Sequence, residues 1–146
     1  MKRTTWMLAW TILPVLVLAA MGCSTTPKGP SDEEMIRGTL SQLKTGLESG
    51  NIDQIMSIFS EQFRDPDMGD KARLRREIQS YYADGDLKNA KVSLETVTLT
   101  KADPKTYNVD GIKLQANFGS GTLGFTMTKE ADGAWRAVRL RFAESY

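Results

Sequence analysis

The sequence predicts an α+β fold in which three N-terminal helices pack on a curved antiparallel sheet of about four strands, forming a cone-shaped roll. Apolar residues recur at helical spacing in the first half of the chain and alternate with polar residues in the second half. Short turns join the alternating segments, as in consecutive antiparallel strands. The alternation changes phase near Glu95, Gly111 and Ala137, which predicts β-bulges that bend the sheet.

The first 22 residues have the composition of a secretory signal peptide and are set apart from the fold. Lys2 and Arg3 precede an apolar run at residues 6–21, which is shorter than the roughly 20 residues that span a bilayer. Residues 20–23, with the sequence AMGC, resemble the lipobox of bacterial lipoproteins, although Ala20 stands where that family usually has Leu. The alternative is an ordinary signal peptide with an incidental cysteine.

The lipobox resemblance implies cleavage before Cys23, a diacylglyceryl group on its thiol and an acyl chain such as palmitate on the new amine. Several acyl chains hold a protein stably on a membrane. The expected location is therefore the cell envelope, and Ser24 favours the outer membrane, facing the periplasm, in a Gram-negative host. Residues 23–30 would be the lipidated cysteine with a flexible tether, and residues 31–146 the folded domain.

The charge of the chain is almost balanced, with 19 basic and 18 acidic residues. Removal of Lys2 and Arg3 with the signal peptide would leave 17 basic residues against 18 acidic ones. Such a domain lacks the basic surface by which proteins bind nucleic acid, so no nucleic-acid partner is expected. The basic run Lys71, Arg73, Arg75 and Arg76 is interpreted as a solvated helix face, with a phosphate or anionic-lipid contact as the alternative.

Each predicted helix has a recognisable start. Ser31 and Glu34 match a capping box, Asn51 and Asp70 match N-caps, and Gly50 matches a helix C-terminus. The apolar stripes that follow the three caps are, in order, Ile36, Leu40, Leu43 and Leu47; Ile52, Ile55, Met56, Phe59 and Phe63; and Leu74, Ile78, Tyr81 and Tyr82.

The run GSGTLG at residues 119–124 fits the glycine pattern of dinucleotide-binding loops. That pattern requires a following helix, whereas here the next residues alternate as a strand. We therefore expect Gly119 and Gly121 to form a tight hairpin turn with positive φ, and Gly124 to mark a bulge or a close backbone approach. No cofactor is expected.

Two segments resemble the nuclear transport factor two-like superfamily. Residues 47–63, LESGNIDQIMSIFSEQF, are similar to its opening helix-turn-helix, and residues 132–142, DGAWRAVRLRF, are similar to its closing strand. The resemblance covers roughly residues 31–143. It implies a pocket between helices and sheet, and often a homodimer across the sheet. Because this superfamily includes enzymes, binding modules and assembly domains, the resemblance implies no single function.

The leading interpretation is a non-catalytic binding domain that holds a small ligand in the cone or a protein partner on the sheet. Candidate pocket residues are Tyr81, Tyr82, Phe125, Trp135, Arg139 and Arg141. If the two arginines face inward, they would bind an anionic group such as a carboxylate. The apolar neighbours of the arginines are better core candidates, which favours an outward orientation.

The alternative function is an enzyme of the isomerase or dehydratase type that works without histidine. The chain contains no His, which excludes His-dependent bases, nucleophile systems and metal sites. Isomerases of the resembling superfamily use an Asp with a Tyr, for which Asp110, Tyr81, Tyr82 and Tyr107 are available. No catalytic residue is assigned, because Asp110, next to Gly111, is interpreted as a turn or bulge residue. No metal site is assigned, because residues 65–70, DPDMGD, fail the calcium-loop spacing.

Overall fold

The computed structural model describes residues 28–144. The predicted signal peptide, Cys23 and the first part of the predicted tether lie outside the described residues. Three helices are formed, α1 (Asp32–Ser49), α2 (Ile52–Ser57) and α3 (Lys71–Asp84). The strands are β1 (Arg64–Asp65), β2 (Gly69–Asp70), β3 (Lys91–Ser93), β4 (Thr98–Asp103), β5 (Thr106–Ala116), β6 (Gly119–Lys129) and β7 (Trp135–Glu144). The predicted α+β class is confirmed.

The helix caps predicted from the sequence are confirmed. The Glu34 amide donates to Ser31 Oγ at 3.2 Å, and the Ser31 amide donates to Glu34 Oε2 at 2.7 Å. Asn51 accepts from the Gln54 amide and Asp70 accepts from the Arg73 amide, so both satisfy otherwise unpaired groups of a first turn. Gly50 ends α1 with φ of 68°.

Helix α2 is shorter than its apolar stripe predicts. It ends at Ser57, so Phe59 and Phe63 belong to the segment after the helix. That segment runs beside β7, where the Ala137 amide donates to Ile58 O at 2.8 Å and the Ser60 amide donates to Ala137 O at 2.9 Å. Backbone groups of the sheet edge thus pair with the segment, and this tertiary pairing replaces further helical turns.

The main sheet is four strands wide. Its order is β3-β5-β6-β7, and β4 pairs with the other end of β5, on the same side as β3. The broken edge formed by β3 and β4 explains why the sheet has five strands where about four were expected. The pairing of β5 with β6 shifts register between Val109 and Ile112, and the pairing of β6 with β7 shifts register next to Ala137. Glu95 lies in the segment between β3 and β4. The bulges predicted near Gly111 and Ala137 are confirmed, whereas near Glu95 the strand is interrupted instead of bulged.

The glycine run at residues 119–124 lies in a hairpin, as predicted, but the two turn residues come directly before the run and not within it. Ala116 pairs with Gly119, so Asn117 and Phe118 form the turn between β5 and β6. Gly119 has φ of 123°, whereas Gly121 is an ordinary strand residue. Gly121 is needed for another reason, because a Cβ there would lie 2.4 Å from a ring carbon of Phe142.

The core lies between the helices and the concave face of the sheet. Its largest fully buried side chains include Trp135, Phe63, Phe125, Ile36 and Leu40. Every buried polar side-chain atom in residues 28–144 has a hydrogen-bond partner. None of the helices in this part of the chain is long and apolar enough to cross a membrane.

Candidate ligand-binding cavity

An open cavity of about 270 Å³ lies between the helices and one end of the sheet. Helix α1 contributes Leu43 and Leu47 to its wall, and Leu74 and Ile78 come from α3. The sheet contributes, from neighbouring strands, Leu114, Leu123, Phe125 and Leu140. Since one water takes about 30 Å³ in the liquid, this space is far larger than a packing defect. Its apolar wall is typical of small-molecule sites.

Three partly exposed aromatic side chains stand at the opening of the cavity. Tyr81, Phe118 and Phe142 are 40%, 37% and 40% exposed, and they are the large apolar side chains of the described region that remain exposed. All three line the cavity. The rings of Phe118 and Phe142 meet edge to face with centroids 5.9 Å apart. The opening is therefore an aromatic rim, which we define as these three residues.

The local sequence explains how the rim is positioned. Helix α3 ends at Gly85, four residues after Tyr81, where the backbone is in the left-handed conformation. The chain then turns through Asp86. The Phe118 amide donates to Asp86 O at 3.1 Å, which ties the β5–β6 turn to the end of α3. The absence of a side chain at Gly121 leaves space for the Phe142 ring.

The ionisable residues of the cavity wall are Glu77, Asp86 and Tyr81, and no Lys or Arg of the described region lines it. Glu77 lies on the same helical face as Leu74, Ile78 and Tyr81, with a loose ion pair to Arg73 at 3.8 Å. Sequence reasoning did not assign Glu77 or Asp86. The spacing of Glu77 within an apolar stripe was an available signal, whereas Asp86 resembled a simple helix-ending turn.

The six candidate pocket residues occupy four different places. Tyr81 and Phe125 line the cavity. The Tyr82 hydroxyl donates to Leu47 O at 2.6 Å, and burial raises the pKa of Tyr82. Trp135 lies in the core at the other end of the sheet, where its indole donates to Asp32 Oδ1 at 3.2 Å.

Arg139 and Arg141 lie on the convex face of the sheet, away from the cavity. Arg141 pairs with Asp110 at 2.8 Å and also donates to Thr126 Oγ1, which in turn donates to Asn108. The bulge beside Ala137 produces this arrangement, because the residues after it, Leu140 and Phe142, return to the concave face. The convex face is polar, which differs from the exposed apolar sheet expected of an assembly surface.

The residues considered for acid–base catalysis are not brought together. Asp110 is on the convex face, and Tyr107 packs in the core against Trp135, with ring centroids 5.3 Å apart. Ser60 is the one polar residue of the described region classed as buried, so no described carboxyl group lies deep in the cavity. Ion pairs lower the pKa of carboxyl groups elsewhere: Asp32 accepts from Lys129, and Asp132 accepts from Arg136.

Residues 65–70 and the basic run of α3 make hydrogen bonds and ion pairs within the fold. Asp65 accepts from the Asp67 and Met68 amides at 3.0 Å and from the β7 amide of Leu140 at 3.4 Å. No group of three or more His, Cys, Asp or Glu side chains in residues 28–144 could hold a metal ion. In the basic run, Lys71 pairs with Glu61 and Arg75 pairs with Asp53.

The sequence matches no protein-family model and no curated protein. The fold is similar to that of a cystatin-like protein of unknown function from Nostoc punctiforme, with a TM-score of 0.63 and 11% identity over 76% of this chain and 89% of that one. A nuclear transport factor two-like protein of unknown function from Shewanella oneidensis gives a TM-score of 0.63 and 14% identity over 78% of this chain and 100% of that one.

A third structure, of an uncharacterised cystatin-like protein from Caulobacter vibrioides, gives a TM-score of 0.64 and 12% identity over 78% of this chain and 89% of that one. These identities are too low to carry a function from one protein to another. This chain shares with these structures an open antiparallel sheet with helices packed on one face. The chain therefore has the cystatin-like α+β fold of nuclear transport factor two-like proteins.

Proposed function

We propose that this chain is a lipid-anchored binding protein of the cell envelope, and that a small apolar ligand occupies its cavity without being chemically changed. The observation that carries the proposal is the open, apolar cavity of about 270 Å³ with an aromatic rim. The polar convex face supports a ligand in the cone over a protein docked on the sheet. The volume favours a compact ligand, since pockets for drug-sized molecules start at roughly 300 Å³.

The anchoring part of the proposal rests on the lipobox-like residues 20–23 and the polar residues 24–30. The tether enters the fold at Ser31, beside Asp32, which accepts from Lys129 Nζ at 2.8 Å. The cavity lies along the last turns of the same helix, at Leu43 and Leu47. With a rise of about 1.5 Å per residue, Ser31 and Leu47 are about 24 Å apart. An anchor at Cys23 would thus hold the domain by the end opposite the cavity.

The binding proposal can be tested with a neutral probe, 1-naphthylmethanol, titrated by calorimetry into the full chain in lipid nanodiscs. Empty nanodiscs supply the blank for partition into lipid. Leu140→Trp places an indole in the cavity wall and should weaken binding at least tenfold, because the larger side chain takes up part of the space that the probe needs.

Ser120→Trp is the matched control, since Ser120 is exposed in β6 and does not line the cavity. This variant should bind like the wild type. Saturable binding that is equally strong in both tryptophan variants would place the probe elsewhere and contradict the proposal, and so would a wild type that does not bind.

A further inference from the structure

The charged groups around the cavity are of one sign. Glu77 and Asp86 line it, and no basic side chain of the described region does so. In the described region Glu77 forms an ion pair with Arg73. The Arg73 Nε to Glu77 Oε1 distance is 3.8 Å, and both side chains are at least 40% exposed. An ion pair of this kind contributes little, so it leaves the Glu77 carboxylate available to a ligand.

Two helix C-termini add negative potential at the same place. Leu47 lies in the last turn of α1 and Tyr81 in the last turn of α3, and both line the cavity. Neither last turn contains a basic residue. Because the carbonyl end of a helix has a partial negative charge, both helices favour a cation at this end of the domain.

The aromatic rim presents the third feature suited to a cation. An ammonium or guanidinium group near the face of an aromatic ring is attracted by the ring quadrupole, and the attraction increases as water is excluded. The rim residues line the same cavity as the carboxylates of Glu77 and Asp86. The apolar wall behind them, at Leu74, Leu123 and Phe125, has no group that would pair with a charge.

We propose that the cavity selects ligands with an apolar body and a cationic head, the body lying against the leucine wall and the head at the aromatic rim beside Glu77 and Asp86. This inference rests on the proposed function and adds the chemical class of the ligand. It excludes the carboxylate ligand considered for Arg139 and Arg141, because those two side chains lie on the convex face.

Three probes with the same ring system and different charge test the selectivity: 1-naphthylmethylammonium, 1-naphthylmethanol and 1-naphthoate. Each is titrated into the full chain in nanodiscs, with empty nanodiscs as the blank. The cation should bind about tenfold more tightly than the neutral alcohol, and the anion more weakly than either. The double variant Glu77→Gln and Asp86→Asn should remove the preference for the cation and keep the affinity for the alcohol.

The double variant Asp67→Asn and Glu95→Gln has the same change in net charge and is the control, since both residues are exposed and neither lines the cavity. It should retain the preference. Equal binding of cation and alcohol to the wild type, or tighter binding of the anion, would overturn the inference and leave the proposed function standing. If none of the three probes binds the wild type, the proposed function itself fails.

Discussion

At the scale of single residues, Gly111 shows how closely the chain packs at a bulge. It has φ of 86°, and a Cβ there would lie 2.3 Å from the backbone oxygen of Thr96. The Thr96 hydroxyl also donates to Gly111 O at 2.8 Å, so the two segments are held together. A side chain at Gly111 therefore meets backbone that has little freedom to move.

Gly85 provides a matched control for Gly111, since its φ is 89° and nothing lies within 4 Å of an added Cβ. Gly85→Ala should lower the free energy of unfolding by about 1 kcal/mol, the usual penalty for a left-handed alanine. Gly111→Ala should cost about 3 kcal/mol, because the steric clash adds to the same backbone penalty. Urea unfolding measures both, and equal losses would contradict the close approach.

Residue types near the cavity also show what sequence reading can and cannot find. The periodicity of α3 identified Tyr81, which lines the cavity, but it gave equal weight to Tyr82, which bonds to the backbone of α1. Adjacent residues on a helix are about 100° apart, so one apolar stripe does not distinguish a cavity wall from a contact between helices. The rim residues Phe118 and Phe142 could not be found this way, because their exposure depends on where the helices stop covering the sheet.

At the scale of secondary-structure elements, the start of α1 is tied to the end of the sheet by one carboxylate. Asp32 Oδ1 accepts from Lys129 Nζ at 2.8 Å and from the Trp135 indole at 3.2 Å. These hydrogen bonds, that from Lys129 first, lower the pKa of Asp32 below its usual value of 3.8. The unfolded chain therefore takes up this proton at a higher pH than the folded chain does.

The stability from Asp32 is accordingly complete above the unfolded pKa and is lost as pH falls through the lower, folded pKa. Asp32→Asn should reduce the melting temperature at neutral pH, and its difference from the wild type should shrink as the pH falls below about 4. Glu33→Gln removes the same charge from an exposed position in the same turn and should show less effect. A difference between Asp32→Asn and wild type that is constant across this pH range would refute the assignment.

Elements were predictable from sequence where local signals and tertiary contacts agree. The caps at Ser31, Asn51 and Asp70 act within three residues, so the sequence alone was sufficient. The end of α2 was missed because Phe59 continues the helical stripe but pairs instead with the β7 edge at Ala137. A contact between residues that are distant along the chain leaves no local signal.

At the scale of the whole molecule, the start of α1 at Ser31 and the cavity at Leu43 and Leu47 lie at opposite ends of that helix. A protein tethered through Cys23 would meet ligand from the aqueous side of the membrane. Cys23→Ser should release the protein from membranes or block processing, as measured by fractionation and mass spectrometry of the chain. Ser24→Ala, which keeps the thiol, should remain membrane-bound. Normal cleavage with full membrane retention of Cys23→Ser would refute the lipid anchor.

The most direct test of the account is to locate the bound probe in the full chain. We expect intermolecular nuclear Overhauser effects between the ring protons of 1-naphthylmethanol and the methyl groups of Leu74, Leu123 and Leu140, which line the cavity. The methyl groups of Thr122 and Thr126, whose neighbours in β6 are the inward-facing Leu123 and Phe125, serve as reporters of the convex face. Effects confined to those threonines, or none to the leucines at saturating probe, would contradict a ligand in the cavity.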